Sequence, residues 1–127
     1  MKFTYPKHEK LKSRKQIEKL FTQGKSVAKY PLRLVYVEHE NTDVPFQISV
    51  SVSKKYFKKA VDRNYYKRIL RETYRLNQNL LKENLNKPYS FMFLYQSKDR
   101  LTFEEINQKT IELFEKLHQH IVSNTDK

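Results

Sequence analysis

Phe46-Gln47-Ile48-Ser49-Val50-Ser51-Val52 alternates strictly, and the chain from Lys58 to about Leu85 then repeats with a helical period. The first run puts Phe46, Ile48, Val50 and Val52 on one face and Gln47, Ser49 and Ser51 on the other, the pattern of a half-buried strand. Its short hydroxyl side chains leave the second face low and open to a ligand or another chain. At 100° per residue the second run puts Tyr65, Tyr66, Ile69, Leu70 and Thr73 on one side of a helix. Arg63, Lys67, Arg68, Arg71 and Arg75 fall within an arc of roughly 140° on the other. The strand thus hands over to a helix that packs on the sheet with one side. The other side projects five cations along about 18 Å of axis.

Asn86-Lys87-Pro88 breaks that helix. Tyr89-Ser90-Phe91-Met92-Phe93-Leu94-Tyr95 follows, a nearly continuous apolar run that predicts a strand covered on both faces. Thr102-x-x-Glu105 is a capping box, and behind it Ile106, Thr110, Leu113, Phe114, Leu117 and Ile121 form one stripe of a last helix. Upstream, Leu32 to Val37 reads as a strand, with a shorter one around Val27, and Asn41 to Pro45 as a turn. Ser13-x-x-Gln16 opens a first helix with Ile17, Leu20 and Phe21 on its stripe, and Gly24 is expected to end it in the left-handed conformation. The expected architecture is α+β, a sandwich in the order α-β-β-β-α-β-α. A four-stranded, mostly antiparallel sheet packs against helices. A single domain over residues 1–127 is expected, with 1–12 a flexible basic N-terminus and 119–127 a frayed C-terminus.

A length of 127 residues allows one domain with a real core, and 38% hydrophobic residues supply it. There is no Cys, so disulfides, thiolate zinc sites, iron–sulfur clusters and thiol nucleophiles are excluded. A single Gly excludes the glycine-rich phosphate loops. No stretch approaches a membrane span, and Met1 to His8 is basic without the apolar core of a signal peptide. A cytoplasmic protein is expected.

Lys and Arg number 26 against 14 Asp and Glu, a net charge of +12. Nine basic residues lie between Lys54 and Arg75 against only Asp62 and Glu72. Residues 1–33 carry ten more against Glu9 and Glu18, whereas 101–127 is net negative. A solvated helix face usually mixes both signs, so this imbalance favours a polyanionic partner, nucleic acid ahead of membrane. Arg outnumbers Lys in the helical row, and its planar fork suits bidentate phosphate contact. Asn64 adds an amide for a sugar, base edge or phosphate. Phe21, Tyr36, Tyr56 and Phe57 lie near basic residues and are candidate stacking platforms, though core packing is the commoner fate of such rings.

No protein active site is legible. His8, His39, His118 and His120 are scattered, and the i, i+2 spacing of His118 and His120 points their rings apart on a helix. Ser49, Ser51 and Ser53 have no recognisable His and Asp companions. The acids form no cluster of the kind a stand-alone metal nuclease needs.

Ser53-Lys54-Lys55, followed by Lys59-Ala60-Val61-Asp62-Arg63-Asn64-Tyr65-Tyr66-Lys67-Arg68-Ile69-Leu70-Arg71-Glu72, resembles the signature of the protein subunit of bacterial ribonuclease P. Leu11-Lys12-Ser13 through Phe21-x-x-Gly24-Lys25 resembles that family's first helix and the turn after it, so the likeness runs from about residue 11 to 118. The resemblance implies a small α/β domain with a left-handed β-α-β crossover. It would bind a large catalytic RNA and the 5′ leader of precursor tRNA and assist endonucleolytic removal of that leader. The RNA would carry the chemistry, with Mg²⁺ held mainly by RNA, and the protein would supply no catalytic residue and no metal site. By the same resemblance Arg63, Asn64, Lys67, Arg68 and Arg71 face the catalytic RNA, and Lys54, Lys55, Lys59 and Arg75 of the same basic run are expected to join them. Ile17, Phe21, Val35, Ser49 and Ser51 line a leader-binding cleft. Tyr65 stands where the family has a basic residue, and Ile17 where it often has an aromatic one. One protein monomer per RNA is expected, with no membrane or DNA partner. A structural RNA-binding protein of ribosomal type is the alternative that composition alone supports equally well. A helix-turn-helix DNA-binding regulator does not match the order of elements.

Overall fold

The computed structural model describes residues 22–38, 46–82 and 88–125. In chain order the elements are β1 (Lys25–Lys29), β2 (Leu32–Glu38), β3 (Phe46–Val52), α1 (Ala60–Lys82), β4 (Tyr89–Tyr95) and α2 (Phe103–Thr125). The strands form one sheet in the spatial order β1-β2-β4-β3. β1 pairs with β2, and β2 with β4, antiparallel. β3 and β4 run parallel, which requires a crossover, and α1 supplies it. The sheet is therefore mixed, with the most apolar strand, β4, inside it.

Both helices cover one face of the sheet, α1 over β3 and β4 and α2 over β1 and β2, and they pack against each other. The core lies between these layers. Leu34, Ile48, Phe91 and Phe93 of the sheet are fully buried against Leu70 and Tyr74 of α1 and Ile106, Leu113, Phe114 and Leu117 of α2. Each such side chain contributes roughly 1.5–3 kcal/mol through the apolar area it removes from water. Tyr66 sits at one end of this core, in a triangle of rings with Phe57 and Tyr95, 4.7 Å from each ring centroid.

α2 starts as its sequence predicts. Thr102 N donates to Glu105 Oε1 (3.1 Å), and Glu105 N donates to Thr102 Oγ1 (3.2 Å). This reciprocal box satisfies two donors that a helix start would leave orphaned. The bonds from Thr102 hold the Glu105 carboxyl below its ordinary pKa, the backbone bond first. α1 starts later than its periodicity predicts, at Ala60 rather than Lys58, and its described residues end at Lys82. The carbonyls of Phe57 and Lys58 accept from the Arg63 guanidinium, and the first helical bond runs from Arg63 N to Lys59 O. Lys58 and Lys59 therefore lead into the helix rather than belonging to it.

Of the expected first helix only Thr22 and Gln23 are described, and both are helical. The box at Ser13 and the stripe of Ile17, Leu20 and Phe21 lie outside the described residues. Gly24 departs from expectation, because no described glycine has a positive φ. The chain passes from Gln23 through Gly24 directly into β1 at Lys25, and an extended exit needs no left-handed residue.

Candidate nucleic-acid interface

The basic segment begins in the turn between β3 and α1. Ser53 organises it, since its hydroxyl accepts from Lys55 N (3.1 Å) and its carbonyl from Tyr56 N (3.1 Å) and Phe57 N (3.2 Å). This tight reversal leaves Lys54, Lys55, Lys58 and Lys59 exposed at the mouth of α1. Phe57 turns inward and is 4% exposed. Tyr56 is half-buried, with Lys55 Nζ 5.6 Å from its ring centroid.

Along α1 the predicted cations occupy the face away from the core, yet their circumstances differ. Arg68 and Arg71 are exposed, and neither makes a hydrogen bond or ion pair with the described residues. Asn64 is exposed beside them, and Lys67 is half-buried. Arg75 is bound to Glu72, Nη2 to Oε2 at 2.9 Å, which raises the guanidinium pKa further. Arg63 is committed to the fold through its two bonds, to Phe57 O (3.0 Å) and Lys58 O (2.8 Å). The other acid of the segment, Asp62, binds Arg100 at 3.2 Å from the loop after β4. Hydrogen bonds from Arg100, and then its charge, hold the Asp62 carboxyl below the ordinary range. Both acids are thus matched to a named cation, and Arg68 and Arg71 keep their full field.

Tyr65 departs from the predicted side. Tyr66, Ile69, Leu70 and Thr73 are buried as expected, whereas Tyr65 is 52% exposed. The core beneath α1 is wide enough for Tyr66 and Ile69 but does not reach round the helix to residue 65. Tyr65 lies edge-on to Tyr66, 5.0 Å between centroids at 87°.

The face of the sheet turned away from the helices carries the other candidate residues. Register lines up Ser26, Val35, Met92 and Ser49 across all four strands, and Ala28, Arg33, Leu94 and Ser51 in the next row. Val35 and Met92 form a small buried cluster with Val37 and Leu94 packed against it. Ser49 and Ser51 are half-buried beside it, so Val35, Ser49 and Ser51 share one surface. At its far end Gln47 pairs with Ser90, and Gln47 Oε1 and Ser90 Oγ are buried without a hydrogen-bond partner. Ile17 and Phe21 lie outside the described residues.

Tyr36 belongs to the core face instead, 4% exposed, with its hydroxyl bonded to His120 Nδ1. Burial, then the neighbouring Tyr89, pushes the Tyr36 phenol pKa up to about 12. Phe57 and Tyr36 are therefore packing groups and offer no free ring. Sequence reasoning missed Arg100 altogether, because it meets Asp62 across 38 positions and no local pattern marks it.

A model of the Ribonuclease P family matches residues 5–118. The chain belongs to the ribonuclease P protein family. Among its relatives, the ribonuclease P protein component of Clostridium botulinum (strain Langeland) is 34% identical over 112 residues, covering 87% of this chain and 95% of that protein. That of Porphyromonas gingivalis (strain ATCC 33277) is 44% identical over 84 residues, covering 65% of this chain and 61% of the relative. The match thus spans about three-fifths of the Porphyromonas protein's length. Among solved structures, the RNase P protein from Thermotoga maritima superposes with a TM-score of 0.68 at 22% identity, covering 85% of this chain and 96% of that one. The four-stranded sheet with its two helices is thus the fold of this family.

Proposed function

We propose that this chain is the protein subunit of a ribonuclease P ribonucleoprotein, which removes the 5′ leader of precursor tRNA. The observation that carries the reading is the unpaired row on α1, where Arg68 and Arg71 stand free beside Asn64 while Glu72 and Asp62 are matched elsewhere. Such a row pairs with successive phosphates of a folded RNA and releases its counterions. Lys54, Lys55 and Lys59 extend it at the mouth of α1, and Lys67 and Arg75 along the helix. Arg63 serves chiefly to hold the turn that aims the row.

The opposite sheet face, floored by Val35 and Met92 and edged by Ser49 and Ser51, is the surface for the leader. Ile17 and Phe21 are assigned to the same cleft by family resemblance alone. Two RNA segments would then be held by opposite sides of one small domain.

No three His, Asp or Glu side chains converge among the described residues. In this reading the catalytic RNA and the substrate phosphates hold Mg²⁺, and the protein's part is electrostatic. It screens phosphate repulsion and holds the leader, in the cytoplasm, as one protein per RNA. The test is precursor-tRNA cleavage at low Mg²⁺ with RNA alone, protein alone and both together. Efficient cleavage by the mixture only, falling steeply with added salt, is the expected result. Tight RNA binding with no gain in cleavage would instead favour a ribosomal-type role. Cleavage by the protein alone would place a nuclease site in this chain.

A further inference from the structure

Tyr65 is an exposed aromatic ring at the edge of the cationic face of α1, 52% open to solvent. A shallow hollow lies beside it, lined by Val61, Asn64, Tyr65 and Arg68. These positions follow one another at i, i+3, i+4 and i+7, so they share one stripe of α1. Val61 is 70% exposed and Tyr65 52%, adjacent apolar surfaces left open to solvent. Tyr66 steadies the Tyr65 ring edge to face, and Tyr66 is itself buried and packed against both Phe57 and Tyr95. The ring is therefore mounted on the core while most of it faces outward.

The hollow combines three chemistries within two helical turns. Tyr65 and Val61 give a flat apolar wall, Asn64 an amide with both donor and acceptor, and Arg68 a guanidinium that makes no bond to the described residues. No acid intrudes on it, because Asp62 is held by Arg100 and Glu72 by Arg75. A nucleotide presents the complementary set: a flat ring face, a polar ring edge and an anion. A duplex hides its ring faces by stacking, so the fit is to an unpaired nucleotide.

We infer that Tyr65 stacks an unpaired base of the ribonuclease P RNA, with Asn64 on the base edge and Arg68 on the adjoining phosphate. The inference rests on the proposed function and adds to it a contact that is not electrostatic. Base–aromatic stacking is sequence-tolerant and releases few counterions, so its loss and the loss of a phosphate contact leave different signatures.

The test is titration of the full chain against ribonuclease P RNA from the same source over a salt series, with melting of each variant recorded alongside. Tyr65→Ala is expected to weaken binding by about 5- to 100-fold at every salt concentration, with the slope of log K against log salt unchanged. Tyr65→Phe is expected to bind within about twofold of the parent, because the ring is kept. Arg68→Ala is expected to make the slope shallower by about 1. If the parent binds the RNA and Tyr65→Ala binds equally well, the inference fails and the proposed function stands. A slope change in Tyr65→Ala matching that of Arg68→Ala, or a loss in Tyr65→Phe as large as in Tyr65→Ala, also overturns stacking. If the parent itself does not bind the RNA, the proposed function fails with it.

Discussion

Replacing Arg68 and Arg71 together by Ala tests the cationic row most directly. Both side chains are exposed and neither bonds to the described residues, so the fold loses nothing it uses. The change in stability is expected to stay within about 0.5 kcal/mol, as for ordinary surface substitutions. Binding is different. If each guanidinium meets one phosphate, the salt slope falls by about 0.7 per contact for single-stranded RNA and about 0.9 for duplex. Two lost contacts make the slope shallower by about 1.4 to 1.8. Between 50 and 200 mM salt, the parent's affinity should then fall roughly tenfold more than the variant's. Filter binding to ribonuclease P RNA at four or five salt concentrations reads this, and thermal melting reads the stability. A variant that melts several degrees lower, or one whose binding is weaker with an unchanged slope, would refute the assignment of these two side chains as free phosphate contacts.

Arg63→Ala should show the opposite balance, because its guanidinium binds the carbonyls of Phe57 and Lys58. A stability loss of about 1–3 kcal/mol is expected by denaturant titration, with a smaller change in salt slope than Arg68→Ala gives. Thr102→Ala removes the hydroxyl that accepts from Glu105 N and should cost about 1 kcal/mol in the same titration. Burial raises the phenol pKa values of Tyr36 and Tyr95 to about 12 and also raises those of Tyr66 and Tyr89. These groups stay neutral in the folded chain while the unfolded chain ionises near pH 10, so their contribution to stability is intact below pH 10 and is lost from there up to about pH 12. Denaturant midpoints measured from pH 9 upward should fall across that window, alongside a late-titrating set in tyrosine absorbance.

The strands and helices were legible because each carries its period in a few consecutive residues. Phe46, Ile48 and Val52 alternate with Gln47, Ser49 and Ser51, and the buried set of α2 repeats from Ile106 to Leu117. The box of Thr102 and Glu105 is equally local, and it formed as written. What escaped the sequence was set by contacts that no period carries, some within a turn and one across 38 positions. Arg63 looked like a fifth free cation because its angle on the helix is outward, but the turn folds two carbonyls back onto it. Asp62 and Glu72 count in the sequence only as two acids against nine cations, whereas in the fold Arg100 and Arg75 bind them.

Tyr65 shows most clearly how periodicity can mislead at the edge of a face. Its helical angle lies between the packed and exposed sides, and an angle alone cannot say how wide the core beneath the helix is. Tyr66 and Tyr95 fill that space first, stacking with Phe57 and leaving no room for another ring. The same crowding that excludes Tyr65 from the core also fixes the ring it leans on. A flexible exposed tyrosine would lose rotamer freedom on stacking a base, and part of the binding energy with it. A ring already steadied by a buried neighbour gives up less. The width of the core thus decides how many cations α1 presents and also which of its side chains stands ready as a flat, pre-set surface among them.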